Sequence, residues 1–251
     1  MRKVLLTTAC ASLLLPAIAT ADPKEGWDVE VGLNYTMKRG NTESDAFSGK
    51  AEAERDALNW RHLAKLEGGN EEKRNKDRES ERIAERYFGS YKLDRKIDDA
   101  NYIFNQLSAQ KDLFSGYTYE TTYALGYGRR FIDNERHRLD IEAGPGYRVR
   151  ELDELPEEWE GTHKSRTEKD AVALVALRYK LQLTENAQFR EDVTSELEDG
   201  ASVTRAETSL TSAINSRLSL RVSHVLRHNS KPADDVRKSD QEILVGLVWS
   251  L

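Results

Sequence analysis

Between Tyr117 and Arg130 the side chains alternate with a period of two. Tyr117, Tyr119, Thr121, Tyr123, Leu125 and Tyr127 share one face, and Thr118, Glu120, Thr122, Ala124, Gly126 and Gly128 share the other. This is the pattern of a β-strand with one apolar and one polar face. It is also long. Ten residue steps at about 3.3 Å each extend roughly 33 Å, and a tilt of about 40° projects that to roughly 25 Å, the height of the apolar band on a transmembrane barrel. Strands of soluble proteins average about five or six residues. Tyr117 and Tyr127 are then expected near opposite membrane interfaces.

The same alternation recurs along the chain. Trp27, Val29, Val31, Leu33 and Tyr35 oppose Asp28, Glu30, Gly32 and Asn34. Leu139, Ile141, Ala143, Tyr147 and Val149 oppose Asp140, Glu142, Arg148 and Arg150, and Ile243, Val245, Leu247, Trp249 and Leu251 share a face of the last segment. Further strands are read near 44–57, 59–69, 80–94, 100–112, 168–183, 187–198, 203–214 and 217–228. That makes about twelve, an even number as single-chain bacterial barrels require. Segments 44–57 and 203–214 carry few large apolar residues. The Glu, Arg and Ala content of 44–57 and its neighbour also permits a helix, so ten or fourteen strands stay open. Gly144-Pro145-Gly146 interrupts a good strand, where proline removes a ladder hydrogen bond, and a bulge or bend is expected.

Connection lengths have their own rhythm. Joins 70–79, 151–167 and 229–239 are long, whereas those at Leu58-Asn59, Thr184-Glu185-Asn186 and Asn215-Ser216 are tight. Long outer loops and short periplasmic turns give this rhythm when both termini are periplasmic. Ser115-Gly116 is short and 131–137 longer than the rhythm demands.

Residues 1–21 read as a secretory signal peptide: Arg2 and Lys3, an apolar run from Val4 to Ile18, then the small-x-small site Ala19-Thr20-Ala21. The sole cysteine, Cys10, lies inside that run, without the Leu-type residue three places earlier that lipidation needs, since Thr7 stands there. Residues 22–251 therefore hold no cysteine and no disulfide. Removing Arg2 and Lys3 takes the net charge from −6 to about −8, which disfavours nucleic-acid partners. With 33% charged residues and no apolar run approaching eighteen residues after Ala21, a lipid-facing protein of this composition must be a barrel, because alternation assigns half of each strand to the lumen.

Several segments resemble a known family: Gly40-Asn41-Thr42-Glu43-Ser44, Asn101-Tyr102-Ile103-Phe104, Lys111-Asp112-Leu113-Phe114, Gly126-Tyr127-Gly128-Arg129-Arg130, Leu139 through Arg148, and Leu247-Val248-Trp249. In this order they are similar to the DUF481, YdiY-like family, whose members are labelled salt-induced outer-membrane proteins. The resemblance spans nearly all of 22–251. It implies an outer-membrane barrel and supplies no catalytic residues. Outer-membrane proteins of this kind usually end in Phe or Trp, whereas this chain ends in Leu251 with Trp249 on the same face.

Candidate sites follow from the alternation. The lumen lining is assigned to Glu120, Asp140, Glu142, Arg148, Arg150, Arg178, Lys180 and Arg190, with Asp28, Glu30 and Asp192. Mixed charges there either pair and fill the interior or line a small pore. The lipid-face aromatics are assigned as Trp27, Tyr35, Tyr117, Tyr119, Tyr123, Tyr127, Tyr147 and Trp249. The loop 151–167, with Glu151, Asp153, Glu154, Glu157, Glu158 and Glu160 around Trp159, is either a solvated outer loop or a cation-binding or lipopolysaccharide-bridging patch. The histidines His62, His137, His163, His224 and His228 are scattered. Ser223 and His224 are adjacent, which in a strand sends them to opposite faces, so they make no nucleophile–base pair. No catalytic residue, metal or cofactor is expected.

The expected protein is therefore all-β: a transmembrane antiparallel up-and-down barrel of about twelve strands with periplasmic termini, exported after signal-peptide cleavage to the outer membrane. Its partners are outer-membrane lipid and lipopolysaccharide, the Sec export pathway and the barrel-assembly machinery. Its role is envelope or salt-stress adaptation, or that of a narrow diffusion channel. The alternatives are an outer-membrane lipase or protease, with Asp153, Glu154 and His163 the nearest protease-like candidates, and a soluble periplasmic barrel holding an apolar ligand.

Overall fold

The computed structural model describes residues 26–38, 43–74, 80–112, 117–152, 167–231 and 238–251. The proposed signal peptide (1–21), the join at Ser115-Gly116 and most of the acidic 151–167 loop lie outside these residues.

Twelve strands form one closed antiparallel barrel: β1 (Asp28–Lys38), β2 (Glu43–Asp56), β3 (Trp60–Arg74), β4 (Ser80–Lys96), β5 (Asn101–Asp112), β6 (Tyr117–Asp133), β7 (His137–Leu152), β8 (Thr167–Thr184), β9 (Ala187–Glu198), β10 (Ala201–Ala213), β11 (Leu218–Asn229) and β12 (Ser239–Ser250). Each strand pairs with its sequence neighbours, and β1 closes on β12 through Glu30↔Ser250 to Asn34↔Gly246. Closure leaves no free edge, so the ladder serves backbone groups that lipid could not solvate. Among the described residues no helix is long and apolar enough to cross a membrane. The weak segments 44–57 and 203–214 are strands, which settles the count at twelve.

The even-numbered connections gather with the termini at one end and are short. Asn134–Arg136 is a three-residue turn, shorter than the 131–137 join read from the sequence, because β6 continues through Asp133. Asn134 closes it: its side-chain oxygen accepts from the amides of Arg136 (3.0 Å) and His137 (2.8 Å). Similarly, β3 continues through Arg74 into the segment read as a loop from residue 70. One odd-numbered connection is also tight, the Asp199–Gly200 turn, with Gly200 at φ 66° where an L side chain would be strained.

Two local expectations are corrected. Pro145 causes no bulge: β7 keeps one register with β8 through Gly144↔Leu174, Pro145↔Ala173 and Gly146↔Val172. Instead, the ladder to β6 lapses between Ala124↔Gly146 and Tyr127↔Ala143, then resumes unshifted. The proline imide, which has no N–H to donate, is accommodated there. The second correction concerns Tyr117. A register shift between Tyr117 and Tyr119 turns Tyr117 inward, with the Arg150 guanidinium 5.0 Å from its ring centroid. The bulge breaks strict alternation at the strand end, so Tyr117 is absent from the lipid-facing row.

The interior is not uniformly polar. Tyr102, Phe104, Ala124, Leu174 and Ala176 form a buried apolar cluster inside the wall β5–β8. The rings of Tyr102 and Phe104 lie over Gly128 and Gly126, where any Cβ would overlap them. Replacing Gly128 with Ala is expected to destabilise the folded barrel by about 1–3 kcal/mol, the usual range for overpacking. Urea unfolding of the barrel in detergent measures it. In a Tyr102→Leu background the same replacement should cost clearly less, since the two residues are coupled through contact.

Candidate functional site

The functional site is the lumen, built by alternation from twelve walls. Its polar residues form four tiers, from the termini (periplasmic) end to the opposite (extracellular) end.

At the periplasmic mouth, Lys180 of β8 approaches Glu54 of β2 at 3.9 Å. Arg138 of β7 lies 4.0 Å from Glu54 and 3.9 Å from Asp56. In the twelve-strand order β2 and β8 are diametrically opposite, so these pairs cross the opening. Arg221 and Glu30 pair at 2.7 Å nearby.

The next tier is the most buried. Arg61 donates to Asp94 from Nε (2.7 Å) and also reaches Asp140 (3.7 Å). Arg130 donates to Asp140 at 2.9 Å. Lys92 pairs with Glu142 and lies 3.3 Å from Asp94, while the Tyr102 hydroxyl donates to Glu142 at 2.7 Å. Arg178 approaches the other Glu142 oxygen at 3.5 Å. The Arg61 guanidinium stands 4.8 Å from the Tyr102 ring centroid, and Lys92 lies 5.4 and 5.6 Å from those of Tyr102 and Phe104. Charges and rings thus make one plug against the β4–β8 wall.

At mid-height the lumen is crossed again. Lys50 of β2 donates to Glu207 of β10 at 2.9 Å, and Arg205 of β10 reaches Glu67 of β3 at 3.1 Å. Arg190 of β9 bonds Glu52 of β2 at 3.0 Å and pairs with Asp192 at 2.6 Å, while Lys65 pairs with Glu67 at 2.9 Å. Nearer the extracellular end, fully buried Arg148 serves Glu198, Glu196 (3.2 Å) and Glu120 (4.0 Å). Arg150 serves Asp170 (2.8 Å), Glu168 (3.2 Å) and Glu198 (3.5 Å). On the facing wall, Arg86 and Arg227 share Glu242 at 3.2 and 2.9 Å.

Two interior cavities, each of about 450 Å³, border the mid-height crossing. The upper faces the opposite end to the termini and is lined by Asn34, Ser48, Asn70, Arg86, Arg227 and Glu242. The lower opens at Glu54 and Lys180, is lined by Glu52, Lys65, Arg178 and Arg190, and runs along the other side of the lumen as far as Glu120 and Glu196. Lys50, Glu67 and Glu207 line the upper cavity, and Arg205 borders both.

Glu120, Asp140, Glu142, Arg148, Arg150, Arg178, Lys180 and Arg190 all point inward and belong to these networks, as does Asp192; Asp28 and Glu30 line the lower cavity. Sequence reasoning missed Arg61, Lys92 and Asp94, and the whole crossing of Lys50, Glu52, Lys65, Glu67, Arg205 and Glu207. The signal existed in β2, where Lys50, Glu52 and Glu54 alternate with Gly49, Ala51 and Ala53. Its outer face is small rather than apolar, so a hydrophobicity scan reads it as noise.

Trp27, Tyr35, Tyr119, Tyr123, Tyr127, Tyr147 and Trp249 are exposed on the outer surface. The Tyr123 hydroxyl donates to Asn105 at 2.9 Å, and that of Tyr127 to Asn101. Ser223 is buried inside while His224 is exposed outside, as the strand period dictates. Among the described residues no group of three or more His, Cys, Asp or Glu is placed to hold a metal ion. His224 meets Gln241 at 3.2 Å and His228 meets Ser239 at 2.7 Å.

A closed twelve-strand barrel with an apolar, aromatic outer surface and an ionic lumen has the fold of the outer-membrane β-barrels. The chain belongs to the family described as "Protein of unknown function, DUF481", whose model matches residues 23–251. A curated relative, "Uncharacterized protein YdiY" of Escherichia coli (strain K12), is 24% identical over 234 residues, covering 92% of this chain and 86% of that protein. Two solved structures share the fold. The NanC porin has a TM-score of 0.53 and 10% identity, over 89% of this chain and 100% of that chain. The COG4313 outer membrane channel from Pseudomonas putida F1 has a TM-score of 0.53 and 9% identity, over 95% and 100%.

Removing one member of the buried tier leaves its partners uncompensated. Glu142→Ala strands Lys92 and Arg178 and should destabilise the barrel by about 3–5 kcal/mol. Lys180→Ala, at the hydrated mouth, should cost under about 1 kcal/mol. Urea midpoints of the two variants compare them directly. At the periplasmic rim, Asp98 accepts from the Asn101 side chain (2.8 Å) and from the amides of Ala100 (2.9 Å) and Asn101 (2.8 Å). These bonds, the Asn101 side chain first, hold its carboxyl below the usual aspartate value. A folded pKa below the unfolded one stabilises above the unfolded value of about 3.9 and is lost as pH falls through the folded value. The stability difference between wild type and Asp98→Asn, followed by urea unfolding against pH, should therefore be constant above about pH 5 and narrow below about pH 4.

Proposed function

We propose that this protein is a narrow diffusion channel of the outer membrane, without catalytic activity, whose passage is restricted by ion pairs that cross the lumen at mid-height. The observation that carries this reading is the composition of the barrier. Two cavities of about 450 Å³ meet at the crossing: Lys50, Glu67 and Glu207 line one, Lys65 lines the other and Arg205 lines both. The crossing is made of long side chains and not of backbone, so it opens by change of rotamer rather than by displacement of a chain segment. The lining carries both signs in close alternation, which suits small hydrated solutes of either charge and gives weak ion selectivity. Export through the periplasm after removal of residues 1–21, insertion by the barrel-assembly machinery, and residence among outer-membrane lipid and lipopolysaccharide belong to the same reading. Adaptation of the envelope to salt stress is the physiological setting that the reading fits.

Planar-bilayer recording tests it. Wild type should give small discrete openings, and Lys50→Ala/Glu207→Ala, which removes the shortest crossing between β2 and β10, should enlarge them at least about two-fold. Absence of discrete openings in both proteins, each shown folded by heat-modifiable gel mobility, would refute the channel.

A further inference from the structure

The outer surface carries one polar row where lipid is expected. Glu191 of β9 pairs in register with Thr208 of β10, and Thr208 with His224 of β11. All three lie on the outer face. Thr208 and His224 sit midway along their strands, and Glu191 sits two residues inward from Phe189, whose ring meets Tyr179 edge-on with centroids 6.4 Å apart. Ser195 and Thr204 extend the patch and bond each other at 2.9 Å. Ala206 and Ser202 share this face of β10, with Leu210 and Ser212 towards the end that carries the termini. Elsewhere on the described outer surface, Arg55, Arg95, Lys111 and Lys169 lie within two residues of strand ends, where they reach the headgroups, and Arg129, four residues from the end of β6, leads its guanidinium outward to 5.5 Å from the Phe131 ring centroid. Among the described residues the Glu191 carboxylate has no hydrogen-bond or ion-pair partner. His224 donates Nε2–H to Gln241 at 3.2 Å, leaving Nδ1 for another partner.

A charged carboxylate and an imidazole facing lipid inside the apolar band are costly, and such groups normally mark a contact or a pathway. We infer that the β9–β11 face is an interface with a second copy of this chain. Charge complementarity selects that occupant. Two copies inserted in one membrane share their orientation, so the two-fold axis relating them runs along the membrane normal. Such an axis beside β10 sets β10 against β10 and β9 against the other copy's β11. Glu191 of each copy then comes to the side of His224 of the other, carboxylate to imidazole, twice per interface as an isologous contact requires. Small side chains on β10, Ala206, Thr204 and Ser202, let the walls approach closely.

The two-residue Asp199–Gly200 turn keeps the rim low between β9 and β10, so no loop at that connection stands between neighbours.

Site-directed cross-linking in native outer membranes tests this. In a Cys10→Ser background, Thr208→Cys should give a covalent dimer on oxidation or with a short bismaleimide. Leu107→Cys, on the outer face of β5, should give at least about five-fold less. Adding Glu191→Lys should lower the Thr208 yield several-fold, and the exchange Glu191→His with His224→Glu should restore it. Folding of each variant is read from heat-modifiable mobility, and Leu210→Cys replaces Thr208→Cys if the latter does not fold. Equal yields on the β10 and β5 faces, or folded monomer alone at both β10 positions, would overturn the proposal.

Discussion

Everything in this structure depends on closure of the hydrogen-bond ladder between β1 and β12. In hydrocarbon an unpaired amide or carbonyl costs several kcal/mol, so a sheet can enter the bilayer only when it has no edge. Once closed, the sheet has an outside and an inside, and the strand period sends alternate residues to each. The high charge of the chain follows from that division: among the described residues most Glu, Lys, Arg and Asp point inward or stand near strand ends, Glu191 being an exception, while most exposed Tyr, Leu, Val and Ile lie on the outer face. Where the ladder does lapse, opposite Pro145, it does so for want of a donor and recovers without a change of register.

Closure also creates the problem that the interior solves. A charged side chain inside a narrow barrel has few water molecules around it and must find an opposite charge. The buried tier answers with shared partners: Glu142 serves Lys92, Tyr102 and Arg178, and Asp140 serves Arg130 and Arg61. Such a network contributes little net stability beyond what a packed apolar core would give, but removing one member is costly. Its effect is to fix which side chains stand where. The glycines under Tyr102 and Phe104 act in the same direction by letting both rings lie flat on β6.

Much of the fold was legible because period-two alternation survives in any strand with unlike faces. Tyr119 to Tyr127 and Ile243 to Trp249 announce their faces plainly. Strand β2 does not, because its outer residues Gly49, Ala51 and Ala53 are small, and β10 hides its pattern behind Ser, Thr and Ala. Tyr117 was misassigned for a different reason: a bulge between Tyr117 and Tyr119 breaks parity, and bulges leave no reliable mark in one sequence. The lumen charges were legible as a set, but their partners were not. Pairing across the barrel depends on which strands stand opposite, and that follows only from the strand count and the closure register. Lys50 and Glu207 are 157 residues apart, and nothing local connects them.

The barrel interior is divided unequally, and that division bears on what can pass. The wall β4–β8 carries the packed plug of Lys92, Tyr102, Phe104, Asp140 and Glu142, joined by Arg61 from β3, where rings, glycines and doubly used carboxylates hold one another in place. The wall running from β9 through β1 to β3 carries no comparable apolar cluster among the described residues, and its crossing consists of lysines, arginines and glutamates on long flexible stems. The proposed channel runs past Lys50 and Glu207 because that crossing consists of separate ion pairs on long side chains rather than of rings packed on glycines. The outward face of β9–β11, where the polar row of Glu191, Thr208 and His224 lies, belongs to the same wall as this crossing.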